Sequence, residues 1–186
     1  MSGLNPDKCV ILEIATIVTD SQLEIVAEGP NIAIGYPPKV LLPMEEWSWS
    51  HHKASGLLDR VKDSPYDCRW AENETLAFLS RYCRRDESPL CGNSVWQDRR
   101  FLIRHMPELE SFLHYRNMDV SSIKELVRRW YPSLPPYDKK KAHLALEDIR
   151  ESIGELKYYR EKAFLPPEVV SNTSGRSTTP RSGICA

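Results

Sequence analysis

The stretch Cys9-Val-Ile-Leu-Glu-Ile-Ala-Thr-Ile-Val18 decides the fold. It is nearly continuously apolar and rich in β-branched residues, as expected of a strand covered on both faces. Thr19-Asp20-Ser21 is a turn signal, and residues 24–28 read as a second strand, so the pair predicts a hairpin. Residues 32–34 suggest a third short strand, and Pro37-Pro38 breaks the chain. Trp70, Leu76, Leu79, Tyr82 and Cys83 recur mostly at three- and four-residue steps and predict an amphipathic helix over 70–83. Residues 89–91 form the next expected strand, and Gly92-Asn93-Ser94 turns into a helix with Val95, Leu102, Ile103 and Met106 inward. A strand over 117–120 follows. Ser121-Ser122 then offers an N-cap, with Glu125 completing a capping box. A long helix is expected over about 144–161. A hairpin followed by alternating helices and strands implies an α/β fold, a mixed central β-sheet flanked by helices.

Composition narrows the class. The chain has 186 residues, with 25 Lys and Arg against 26 Asp and Glu, for a net charge of −1. That length suits one domain, since about 100–200 residues per domain is usual. The charge balance excludes a polybasic nucleic-acid binder but leaves room for a local basic groove. No run approaches the roughly 18 apolar residues of a membrane span, and Met1-Ser-Gly-Leu-Asn-Pro-Asp7 lacks signal-peptide architecture. The 5 cysteines are scattered and form no CxxC pair, a pattern of reduced thiols rather than a zinc site or disulfide framework. Residues 1–165 read as the domain. Residues 166–186, dominated by Ser, Thr, Gly, Pro and Arg, read as a disordered tail.

Chemistry-bearing residues concentrate in Cys91-Gly-Asn-Ser-Val-Trp-Gln-Asp98-Arg-Arg-Phe101 and His143-Leu-Ala-Leu-Glu-Asp148. Asp98 is expected in the first turn of a helix that follows a strand, where α/β proteins place ligands. An acid there also suits the positive helix end. His143 and Asp148 are five residues apart, roughly 140° around a helix, and converge only if His143 precedes that helix. A loop histidine beside a carboxylate could act as general base next to a metal; a surface histidine beside a capping acid fits the same spacing. Ser94, Arg116 and Ser121 are suited to phosphate, and Trp47, Trp49, His52 and Tyr115 to base stacking.

These residues carry a family resemblance. The runs Ile14-Ala-Thr-Ile-Val-Thr-Asp20, Ala27-Glu-Gly-Pro30, His52-Lys-Ala-Ser-Gly-Leu57, 91–101, 114–126 and 143–152 closely resemble oligoribonuclease in order over about residues 1–162. The resemblance implies an RNase H-like exonuclease fold of the DEDDh class. It also implies a homodimer that removes nucleotides from the 3′ ends of very short RNA oligonucleotides, chiefly dinucleotides. Two divalent ions, Mg²⁺ or Mn²⁺, are implied as cofactors. By position, Asp98 and Asp148 match metal-binding acids and His143 the general base. Leu4, Trp47, His52, Ser94, Tyr115, Arg116 and Ser121 match substrate-binding positions. Ser94, Arg116 and Ser121 match the cap on the 5′ phosphate, and Tyr115 matches a residue reaching the partner's site.

The start of the chain departs from the pattern. The family opens on a strand ending Asp-x-Glu followed by Met-Thr-Gly-Leu, whereas this chain opens Met1-Ser2-Gly3-Leu4. The expectation is that the first strand and two acids are missing from this chain and that Met1 is an internal methionine of a longer frame. Glu13 and Asp20 do not follow the motif spacing and are not expected to substitute. An inactive fragment, or a non-catalytic protein that binds short oligonucleotides, is the alternative. A cytoplasmic location is expected, or a mitochondrial one if a presequence lies upstream of Met1.

Overall fold

The Cys9–Val18 stretch enters the sheet late. In the computed structural model, which describes residues 1–139, 144–165 and 184–185, strand β1 spans Glu13–Thr19. The preceding residues spend their hydrogen bonds elsewhere. The Ser2 amide donates to the Val10 carbonyl, and the Val10 amide donates to the Ser2 hydroxyl. Gly3 permits this close fold-back, since a Cβ there would lie 2.7 Å from the Cys9 sulfur.

The hairpin forms as expected. Asp20 builds its turn by accepting the amides of Gln22 and Glu24. The second and third expected strands prove to be one, β2 (Ile25–Ala33), antiparallel to β1 along its length with two register shifts. The first shift absorbs Gly29-Pro30 and the second Val26, and a proline is tolerated because β2 is a sheet edge.

Four helices follow: α1 (Pro38–Leu41), α2 (Glu46–Ala54), α3 (Leu57–Asp63) and α4 (Cys68–Leu79). Helix α4 starts earlier than its apolar periodicity indicates because the Asp67 side chain caps it by accepting the Trp70 amide. Its buried face is Ala71, Phe78 and Leu79, while Trp70 and Tyr82 are exposed. Next come β3 (Pro89–Gly92), α5 (Val95–His105), α6 (Pro107–Phe112) and β4 (His114–Asp119). In α5 the inward residues are Val95, Phe101 and Leu102, with Met106 at its end; Ile103 points to solvent, contrary to the periodicity reading. Helix α7 (Val120–Trp130) is capped by Asp119, not by the Ser121-Ser122 pair. Glu125 accordingly pairs with Arg128 and Arg129 instead of closing a capping box. Helix α8 spans Ala145–Ala163.

The sheet order is β2-β1-β5-β3-β4, where β5 is the two-residue strand Ile184–Cys185. Strands β1 and β2 are antiparallel and β3 and β4 parallel, so the sheet is mixed as expected. β5 bridges them, antiparallel to β1 and parallel to β3. The rest of the expected tail, 166–183 and 186, lies outside the described residues.

Successive residues of β1 serve opposite faces. Val18 joins a core with Phe78, Phe101 and Leu109, while Ile17 joins Val120, Val127, Ile153 and Leu156. Helices therefore cover both sheet faces, as the unbroken apolar character of β1 requires.

Candidate active site

Helix α5 leaves β3 through Gly92 and Ser94, both at positive φ (154° and 53°). A serine in the left-handed region is uncommon and persists only where its surroundings hold it. Here the carboxylate of Asp119 does so, accepting the Ser94 amide at 2.9 Å. The same oxygen accepts the Ser121 amide at 2.9 Å. Two turns distant in sequence are thereby drawn together, and their hydroxyls meet.

Asp98 follows in the first turn of α5. Burial pushes its carboxyl up to about 6, although a hydrogen bond from the backbone works in the opposite sense. A helix-end acid serving the dipole alone would be solvated and acidic. Asp98 is instead a largely buried acid facing a cavity of about 650 Å³. Asp148 lines that cavity from the first turn of α8, which begins after Leu144. The size falls in the range typical of ligand sites.

Leu4, His52, Ser94, Asp98 and Asp148 thus share one cavity. Ser121 joins through Ser94. Leu4 is fixed by the Gln97 side chain, which donates to its carbonyl. His52 donates from Nε2 to the Met1 carbonyl at 2.8 Å, and burial lowers its pKa despite that bond.

The other expected site residues that the structure describes do not line the cavity. Trp47 is exposed and stacks on His51 with ring centroids 3.9 Å apart. Tyr115 is 71% exposed, stacked on His114, with the Arg116 guanidinium 5.3 Å from its ring centroid. His143 lies outside the described residues. Glu13 lines the cavity, but it is engaged by Arg60 at 2.5 Å and by the Ala145 amide at 3.1 Å. Among the described residues, no three His, Cys, Asp or Glu side chains gather as a metal cluster.

Sequence reading missed two positioning groups. Asp119 was obscured because the Ser-Ser pair two residues on offers a competing cap, although Asp before a helix is itself a cap signal. Arg99 gives no local signal. Its guanidinium is buried and donates to the carbonyls of His114 and Tyr115, both at 2.6 Å, fixing the strand that presents Tyr115 and Arg116.

A mixed sheet with helices on both faces, and two acids on one cavity beside its parallel strands, is an arrangement that a nuclease can use, and similarity to known proteins gives that class. The family model described as Exonuclease matches residues 1–156. The chain is 54% identical over 167 residues to the oligoribonuclease of Dichelobacter nodosus, covering 90% of this chain and 92% of that protein. It is 55% identical over 162 residues to the oligoribonuclease of Alcanivorax borkumensis (87% and 90% covered). For that of Coxiella burnetii the identity is 56% over 161 residues (86% and 88%). The chain belongs to the oligoribonuclease family of exonucleases.

Proposed function

We propose that the protein is a 3′→5′ exoribonuclease that hydrolyses very short oligoribonucleotides, chiefly dinucleotides, to mononucleotides. The observation that carries this reading is the placement of Asp98, Asp148 and Ser94 on one cavity, with the Ser121 hydroxyl against that of Ser94. Acids at one end suit cations and hydroxyls at the other suit a terminal phosphate.

Asp98 and Asp148 are two of the four acids that the family resemblance implies for its metals. Burial raises the Asp98 carboxyl, and carboxylate oxygens suit Mg²⁺ or Mn²⁺. Asp98 and Asp148 would hold the metal, which supplies polarisation of the scissile phosphate and a lowered pKa for the attacking water. His143 would act as general base toward the attacking water. Ser94, Ser121 and Arg116 grip the 5′ phosphate, and the closed end they make favours two-nucleotide substrates. Leu4, Trp47, His52 and Tyr115 pack the bases. The exposed Tyr115 does not line the cavity of its own chain, which favours a homodimer in which Tyr115 completes the partner's site. No described helix is long and apolar enough to cross a membrane, and a cytoplasmic enzyme accords with that.

The test is hydrolysis of a 5′-phosphorylated dinucleotide by the full chain, with products separated by chromatography. Mononucleotides should appear only with Mg²⁺ or Mn²⁺. Asp98→Asn and Asp148→Asn should each lower the rate by at least about a hundredfold, since metal stabilisation is worth several kcal/mol. His143→Ala should lower it by about 10²–10⁴ while sparing binding. Tight binding without product under every metal condition would favour the binding-protein alternative.

A further inference from the structure

Glu155 in α8 is 1% exposed, yet carries a charge that the reaction proposed above does not use. Lys139 reaches one of its oxygens at 2.5 Å and Lys124 the other at 3.0 Å. Tyr159 adds a hydroxyl donor at 3.1 Å. Burial opposes the anion, but hydrogen bonds from Lys139, Lys124 and Asn93 outweigh it and hold the carboxyl below its usual range. The cluster therefore carries two ammonium groups against one carboxylate.

Asn93 connects this cluster to the site. Its amide nitrogen donates to Glu155 at 2.9 Å and approaches the Ser121 hydroxyl at 3.4 Å. Its amide oxygen accepts from Lys139 at 3.0 Å and from the Ser152 hydroxyl at 2.6 Å. With donors on one side and a carboxylate on the other, only one orientation of the amide satisfies all four contacts. Asn93 and Ser94 are adjacent, so fixing Asn93 also fixes the turn that offers the Ser94 hydroxyl.

We propose that the Lys124–Glu155–Lys139 triad, acting through Asn93, presets the Ser94–Ser121 hydroxyl pair and sets a preference for oligonucleotides ending in a phosphomonoester. Stability alone is a poor reason for such a cluster, because a buried ion pair is often no better than apolar packing of the same volume. Lys139 lines the same cavity as Ser94, which places its ammonium where a bound anion would feel it. A phosphomonoester carries about −1.5 to −2 at neutral pH, whereas a 5′ hydroxyl carries none. Glu155 is a positioning residue on this view, and Lys139 combines positioning with charge.

The inference rests on the phosphate reading of the Ser94–Ser121 pair, and the test separates the two. Binding of a 5′-phosphorylated dinucleotide and of its 5′-hydroxyl counterpart is measured by calorimetry on the full chain in EDTA. The readout is the ratio of the two dissociation constants, in which any general loss of folded protein cancels. The wild type should prefer the phosphorylated form. Glu155→Gln keeps the shape but frees both ammonium groups and loosens Asn93; because Glu155 acts by positioning, the preference should fall about tenfold even though the cluster's net positive charge rises. Lys139→Met, at the partly exposed end of the cluster, should do the same and serves if Glu155→Gln does not fold. A preference that stays or rises in Glu155→Gln or Lys139→Met overturns the proposal. If Arg116→Ala abolishes the preference while both triad variants keep it, the phosphate reading stands and the triad's role falls. A wild type with no preference removes the phosphate reading and the triad's role together.

Discussion

The hydroxyls of Ser94 and Ser121 lie 3.2 Å apart, although 27 residues separate them in sequence. One oxygen of Asp119 holds both amides at 2.9 Å. A single carboxylate thus caps α7, holds a left-handed serine in place and builds one end of the candidate site.

Asp119→Ala should therefore weaken two turns at once. Loss of a cap costs about 1–2 kcal/mol, and a chain of this size loses about 2–4 °C in Tm for each kcal/mol. Asp119→Asn keeps an acceptor oxygen and should recover most of that difference. Circular dichroism melts of the three proteins provide the check; an Ala variant that melts with the wild type would remove the shared-acceptor role.

His52 makes stability depend on pH. Its folded-state pKa is lowered chiefly by burial, while the unfolded chain titrates near about 6.5. The unfolded state therefore binds the proton more tightly. The contribution is intact above about 6.5 and is lost as pH falls below it. His52→Gln should flatten the decline between pH 7 and pH 5, measured by urea denaturation at each pH. An equal or steeper decline in the variant would show that another group sets it.

Gly154→Ala should act locally. A Cβ there would lie 2.4 Å from the Tyr137 hydroxyl, so the ring must move. Alanine gains about 1 kcal/mol over glycine inside a helix, which offsets part of the lost packing. Global stability should change by less than about 1 kcal/mol. Tyr137 helps seat the segment ending at Lys139, together with the Tyr158 hydroxyl, which donates to the Pro135 carbonyl at 2.6 Å. Trypsin should consequently cut after Lys139 faster in the variant, read by mass spectrometry. Unchanged cleavage would mean that Tyr137 does not hold the segment.

The sequence makes the hairpin, β3 and four of the eight described helices legible because their signals are local. The Asp20 turn and the strand–turn–helix around Asp98 form where the pattern places them, and β1 takes up the second part of the apolar run. Errors arise where two local signals compete. Asp119 wins over the following serines as cap, and Phe101 wins over Ile103 as the buried face of α5. Helix α2 was hidden because Ser48 is its one buried residue, so its apolar side chains mark no inward stripe. Shared occupancy of one cavity by Leu4, His52, Asp98 and Asp148 depends on contacts between distant segments, which no window of sequence contains. The motif resemblance reached those residues, while the physical grounds for Arg99 and Glu155 emerge only from their partners.

Among the described residues, strand β5 pairs with Val18 and Thr19 of β1 and with Leu90 of β3. The antiparallel hairpin and the parallel pair are thus joined along a two-residue seam, with the cavity beside it. Side chains span the seam where few backbone bonds do: Val18 packs with Phe101 and Leu109 on one face, and Ile17 with Val120 and Ile153 on the other. Asp98 stands on the parallel side and Glu13 on the hairpin side. The spacing between them is therefore set by packing across the seam rather than by a ladder of backbone bonds.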